Sequence, residues 1–182
     1  MIYMSKTIGI GITGGIAAYK IADLISRLKE GEFEVIVMMT ENAAKFITPL
    51  TLKTLSGREV ITDLWAGSKE WKVQHIGVAE QLDLLVIAPA TANFIAKMAG
   101  GIADDFLSTT VAAVTAPVLV VPSMNDNMLR NSIVQRNIKT LVECGYHIME
   151  PETGRLAAGT IGKGRMPEAE DIYLAIDKLL SE

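Results

Sequence analysis

The chain has 182 residues, a formal net charge of −4 and 49% hydrophobic residues. That length suits one domain with a sizeable core, and a mean hydropathy of +0.31 excludes a disordered chain. The acidic balance gives no support for nucleic-acid binding, the single cysteine, Cys144, excludes an internal disulfide or a Cys-rich metal site, and no apolar run reaches the roughly 18 residues of a membrane span.

Met1 to Lys6 lacks the charged region and apolar stretch of a signal peptide, so a cytoplasmic location is the expectation. Lys6 to Ile12 reads as a first strand. Ala17 to Glu30 carries Ala18, Ile21, Leu24, Ile25 and Leu28 at the spacing of one helix face, and Gly31 ends it. Glu34 to Met39 is a second strand. Thr40 to Phe46 and Pro49 to Ser56 read as short helices around a turn. Gly57 to Gln74 is the least regular stretch and holds both tryptophans.

Leu82 to Ile87 is a continuous apolar strand of the kind buried on both faces of a parallel sheet. Helices are predicted over Ala92 to Ala99 and Asp104 to Val114. Then come a strand at Val118 to Val121, a long helix from Leu129 to Glu143 and a short strand at His147 to Met149. Gly154 to Gly164 reads as a glycine-rich loop, and Glu168 to Leu180 as a closing helix. This alternation predicts an α/β fold: one domain over residues 1–182, a doubly wound, Rossmann-like parallel sheet with helices on both faces.

Candidate chemistry falls at the carboxyl ends of the predicted strands, where open α/β sheets bind ligands. The first turn, Gly9 to Ala17, contains a literal GxGxxG. The acid that a nicotinamide dinucleotide site wants after the second strand is replaced by Thr40, which suits a phosphate better than a ribose diol. Gly14, Gly15 and Ala17 would allow an anion close to the helix start; close helix–strand packing would equally demand small residues. In Ala88-Pro89-Ala90-Thr91-Ala92-Asn93, Thr91 or Asn93 could cap the next helix, contact a ligand, or both.

Pro122-Ser123-Met124-Asn125-Asp126-Asn127-Met128 is the most informative turn. Asn125 brings two donors and an acceptor suited to a carboxylate or amide, and Met124 and Met128 bring adaptable apolar surface. His75 is a candidate base, although an isolated histidine is more often structural. Gly154 to Arg165 joins glycines with Arg155, Lys163 and Arg165, a set that would meet an anionic ligand or form a solvated loop. Asp104 and Asp105 favour a helix start over a metal, and Cys144 reads as structural.

Together these stretches resemble the flavin-containing cysteine decarboxylases. The resemblance runs from Ile8 to about Ile176 and rests on PxMNxxM at Pro122 to Met128, His75, the segment Gly154 to Arg165, PATAN at Pro89 to Asn93 and GIADD at Gly101 to Asp105. It implies FMN as cofactor, contacted by Gly14, Gly15 and Ile16. Thr40 and Asn42 would lie near its phosphate or ribityl chain, Thr91, Ala92 and Asn93 elsewhere along it, and Ser123 near the ring. Asn125 would bind the substrate's cysteine carboxylate with Met128 beside it, Arg155 and Ala157 would belong to a closing flap, and His75 would be the base that assists thiol oxidation.

The implied activity is decarboxylation of 4′-phosphopantothenoylcysteine to 4′-phosphopantetheine in coenzyme A biosynthesis. The alternatives are oxidative decarboxylation of a peptide's carboxy-terminal cysteine to an enethiol, and a flavin-binding regulatory subunit. The last is disfavoured because this chain lacks long charged tails. The resemblance also implies a homo-oligomer, trimer or dodecamer, in which His75 would serve a neighbour's site, and fusion to or partnership with a phosphopantothenate–cysteine ligase. One departure stands out. The family string LACG, whose cysteine donates a proton, reads Leu156-Ala157-Ala158-Gly159 here. Thr160 or water would have to protonate the intermediate, or the reaction stops at the enethiol, or Ala158 is an engineered block. The flap's retained glycines and cations favour the coenzyme A role.

Overall fold

A computed structural model describes residues 5–65 and 74–181. Five parallel strands form one sheet: β1 (Thr7–Ile12), β2 (Glu34–Met39), β3 (Leu84–Ala90), β4 (Val118–Pro122) and β5 (His147–Ile148). Their order is β2-β1-β3-β4-β5, so the winding reverses between β1 and β3. The chain crosses over through α1 (Ile21–Glu30), α2 (Pro49–Ser56), α3 (Gln74–Ala79), α4 (Ala92–Gly100), α5 (Phe106–Ala113), α6 (Asp126–Arg130) and α7 (Ser132–Glu143). A two-stranded antiparallel hairpin, β6 (Glu152–Arg155) and β7 (Ile161–Arg165), precedes the closing α8 (Ala169–Ser181). Among the described residues, no helix is long and apolar enough to cross a membrane.

Alternation along the central strands builds two cores. Ile8, Ile10 and Ile12 of β1 point to one face and pack with Leu24, Ile25 and Leu28 of α1 and Ile172 and Ile176 of α8. Leu85 and Ile87 of β3 point to the other face, against Phe94, Phe106, Leu107 and Leu141 from α4, α5 and α7. Each fully buried aliphatic side chain contributes roughly 1.5–3 kcal/mol. The predicted doubly wound sheet is therefore the observed one.

Several expectations change. The glycines of the literal GxGxxG divide between strand and turn. Gly9 and Gly11 sit inside β1, where an added Cβ would stand 2.7 Å from a Leu82 methyl or 2.5 Å from a Leu107 methyl. They are there for packing. The predicted helix at Ala17 begins as a 3-10 turn, Ile16–Lys20, that runs into α1. Thr40 to Phe46 narrows to a 3-10 turn at Ala43–Lys45.

The long helix expected from Leu129 is broken at Asn131, whose backbone is extended and whose side chain accepts the Ile133 amide at 2.9 Å. Asparagine competes with a helix interior and favours such a cap. His75 lies inside the short helix α3, and not just outside a short helix as its sequence setting suggests. In the irregular Gly57 to Gln74 stretch, Ile61 bridges Met38 of β2, while residues 66–73, with Trp71, lie outside the described residues, as do Met1 to Met4.

The glycine-rich loop is in fact the β6–β7 hairpin. Its pairing shifts: Glu152 opposes Arg165, but Thr153 opposes Lys163. Gly164 is the extra residue of a bulge. Its φ of +145° suits glycine, and an added Cβ would overlap the Met124 carbonyl oxygen.

Candidate functional site

A cleft of about 790 Å³ opens at the carboxyl ends of β1, β3 and β4, at the reversal of strand order. Its volume falls within the range of small-molecule sites. One wall is the turn after β1, from Gly14 and Gly15 into the 3-10 turn with Ile16, Tyr19 and Lys20. Thr91 and Ala92 after β3, and Ser123 to Asn125 with Met128 after β4, make the floor. The hairpin supplies the far wall with Arg155 to Ala158, Gly164 and Arg165.

Local hydrogen bonds fix this arrangement. The buried Thr13 hydroxyl donates to the Pro89 carbonyl at 2.6 Å and accepts the Thr91 amide at 3.1 Å. Thr91 in turn accepts the Phe94 amide at 3.3 Å and caps α4, so capping and cleft lining hold together. Asn125 caps α6 through its oxygen, which accepts the Asn127 amide at 2.9 Å. That leaves its two N–H donors for a ligand. The Met124 amide donates to the Gly164 carbonyl at 3.0 Å and ties turn to hairpin. Next to it, Gly162 lies so close to Asp126 that an added Cβ would stand 2.9 Å from the Asp126 Cβ.

No side chain caps the 3-10 turn at Gly15; the Gly15 amide donates to the Thr13 carbonyl at 2.8 Å, which leaves the Ile16 and Ala17 amides as the turn's opening donors for an anion. Gly14 is small for a second reason: an added Cβ would sit 2.5 Å from the Asn42 Cβ. The cleft therefore offers backbone donors at one end, the Asn125 amide at its floor and cations along the hairpin.

The expected site residues divide. Gly14, Gly15, Ile16, Thr91, Ala92, Ser123, Asn125, Met128, Arg155 and Ala157 all line the cleft, as does Ala158. Thr40, Asn42 and Asn93 do not. Thr40 accepts the Ala43 amide at 3.3 Å, Asn42 accepts the Lys45 ammonium at 2.8 Å, and Asn93 is exposed on α4. His75 is also off the cleft. Its ring is edge-on to Phe106, with centroids 6.4 Å apart. Thr160, considered as a proton donor, is exposed and off the lining.

Lys163 separates from Arg155 and Arg165. It pairs with Glu150 at 2.6 Å and borders a different cavity. Asp105 caps α5 in a reciprocal box with Ser108, and Lys97 bonds both Asp104 and Asp105. Burial works against the Lys97 ammonium, but those carboxylates outweigh it and raise its pKa. Thr13, Tyr19 and Lys20 were not singled out in the sequence. A hydroxyl two residues after a strand glycine pair is a weak signal, and Tyr19 and Lys20 read as ordinary helix positions.

Lys20 and Arg165 both bond Glu168, which stands behind them off the cleft; Lys20 does so at 2.9 and 3.0 Å. The Lys20 hydrogen bond, followed by the charges of Lys20 and Arg165, outweighs burial and holds the Glu168 carboxyl below its ordinary pKa.

The Flavoprotein family profile matches residues 3–181. The chain is 44% identical over 178 residues to the coenzyme A biosynthesis bifunctional protein CoaBC of Bacillus subtilis, covering 98% of this chain and 44% of that protein. It thus spans less than half the length of that curated relative. Among solved structures, a PPC decarboxylase mutant complexed with pantothenoylaminoethenethiol superposes with a TM-score of 0.89 at 30% identity, covering 98% of this chain and 100% of that one. The FMN-dependent cysteine decarboxylase SpaF superposes with a TM-score of 0.84 at 33% identity, covering 100% and 98%.

Proposed function

Because this chain belongs to the Flavoprotein family, we propose that it is an FMN-dependent carboxy-lyase that converts 4′-phosphopantothenoylcysteine to 4′-phosphopantetheine. The observation that carries this reading is the single cleft joining the Gly14–Gly15 turn, Thr91, Ser123 and Asn125 to the hairpin. The opening amides that follow Gly15 fit a phosphate-bearing group, and the floor has room for a ring beside Ser123. Bound FMN supplies the two-electron chemistry that makes loss of CO2 from a cysteine feasible.

The chain's own residues bind, orient and move protons. The Asn125 N–H groups hold the substrate carboxylate while its oxygen stays engaged in the α6 cap. Met128, 48% exposed, covers the substrate's apolar part. Arg155 and Ala157 close over it from the hairpin. His75 takes the thiol proton in a neighbouring copy's cleft, because its ring lies off the cleft of its own chain. That role requires a homo-oligomer, a trimer or a dodecamer. Asn42, which packs against Gly14, and Thr40, which holds the turn after β2 by accepting the Ala43 amide, support the phosphate end. The ligase activity that makes the substrate is expected on a fused or partner domain, and the setting is cytoplasmic.

A second reading is favoured by Ala158, which lines the cleft with a side chain that carries no proton. On that reading the reaction ends at an enethiol. Anaerobic mixing with 4′-phosphopantothenoylcysteine, followed by mass spectrometry, separates the two. A full cycle yields 4′-phosphopantetheine and leaves the flavin oxidised. A half cycle yields the enethiol and bleaches the flavin stoichiometrically. If neither CO2 nor a flavin change appears, the decarboxylase reading fails.

A further inference from the structure

Lys20, Arg155 and Arg165 are the charged side chains on the cleft wall, and among the described residues no carboxylate joins them there. In a chain of net charge −4 this is a local reversal of sign. Two of the cations are placed as a unit. Lys20 and Arg165 share Glu168, which bonds both heads from behind. The Lys20 side chain is only 16% exposed, against 49% for Glu168. One carboxylate between two cations leaves a net positive charge at the cleft edge and holds both heads in place.

The position of this pair sets it apart from the Gly14–Gly15 end. At roughly 2 Å of rise per residue, the 3-10 turn carries Lys20 about 10 Å beyond Gly15. The Lys20 ammonium is anchored to Glu168, just before α8, and not to the Gly15 turn. The cleft thus has two anion-attracting ends, one of backbone amides and one of side-chain cations. Both suit a phosphate monoester, the first as the flavin's and the second as the substrate's.

Resting on the decarboxylase reading, we propose that Lys20 and Arg165, braced by Glu168, form the subsite for the 4′-phosphate of the substrate. Arg165 offers a planar fork to the phosphate oxygens, and Lys20 a compact charge. Glu168 is a positioning residue. The same hydrogen bonds also tie the 3-10 turn, the hairpin and α8 together, so the test has to separate recognition from structure.

The purified, FMN-loaded protein is assayed with 4′-phosphopantothenoylcysteine and with pantothenoylcysteine, which lacks the phosphate. The unmodified protein is expected to prefer the phosphorylated substrate by about 10- to 100-fold in kcat/KM, mainly through KM. Lys20→Met and Arg165→Met are each expected to remove about ten-fold of that preference. Equal losses on both substrates would make the pair structural and overturn the proposal. Release of FMN from either variant would assign the cations to the cofactor's phosphate, with the same consequence. If a variant does not fold, the unmodified protein still decides: equal kcat/KM for the two substrates overturns the subsite. If neither substrate reacts, the decarboxylase reading falls and this proposal with it.

Discussion

The Thr13 hydroxyl accepts the Thr91 amide at 3.1 Å while donating to the Pro89 carbonyl. One buried side chain fastens the two strand ends between which the cleft opens. Thr13→Val keeps the shape but strands both partners. An unsatisfied buried polar group costs about 1–3 kcal/mol. Urea unfolding is expected to show a loss of that size, with Thr13→Ser close to the parent protein. An unchanged midpoint for the valine variant would remove Thr13 from this role.

Gly164→Ala meets two obstacles, a φ of +145° and the Met124 carbonyl oxygen. Strain of this kind costs about 2–3 kcal/mol. Thermal unfolding should register that loss, and turnover should fall because the hairpin separates from the Asn125 turn. A variant as stable and active as the parent would mean that the hairpin base is not held there.

Asn125→Ala removes a helix cap and a substrate contact together. The cap is worth about 1 kcal/mol. Loss of the carboxylate contact is expected to raise KM about ten-fold or more. The yellow flavin should remain bound. A colourless variant would move Asn125 from the substrate end to the cofactor end.

His75→Asn is expected to stay yellow and to lose decarboxylation by at least about 100-fold. Because His75 lies off its own cleft, unfolding and reassembling it with Asn125→Ala protein should restore part of the activity. In a cyclic trimer, half of the mixed interfaces then join an intact cleft to an intact histidine. Absence of any recovery would place the histidine and the asparagine in the service of one chain.

Glu168 gives a pH dependence of fixed sign. Its carboxyl, with an ordinary value of 4.5, is held lower in the folded protein by Lys20 and Arg165. The folded state therefore binds its proton less readily than the unfolded state. Its stabilisation is present above about 4.5 and disappears as pH falls through the lower folded value. Glu168→Gln should cost less than about 1 kcal/mol at pH 7, since the group is half exposed. The difference in Tm between variant and parent should close as pH falls through that lower folded value. A gap that persists there would point to packing in place of charge.

Much of this was legible in the chain. Ile8, Ile10, Leu85 and Ile87 announce buried parallel strands by apolarity alone, and the turns that follow them carry the cleft. The turn from Ser123 to Asn125 was readable because a carboxamide stands where a strand must give way to a helix. Other features depend on contacts that no local pattern carries. Asn131 breaks a helix whose apolar spacing continues on both sides of it. Gly9 and Gly11 imitate a phosphate turn but answer to Leu82 and Leu107 across the sheet. His75 sits on a helix that packs against Phe106, and only the tertiary fold turns it away from the Asn125 turn.

The bulge at Gly164 acts as a phase shift in the strand. Lys163 and Arg165 stand one residue apart, and a regular strand would turn both to the same side. The extra residue makes them adjacent in pairing steps, opposite Thr153 and Glu152. One charge then turns to Glu150 on the outside and the other to the cleft. A hairpin that reads as three interchangeable cations thus has polarity. In this hairpin, the residue that faces the cleft is found by counting strand partners and not sequence positions.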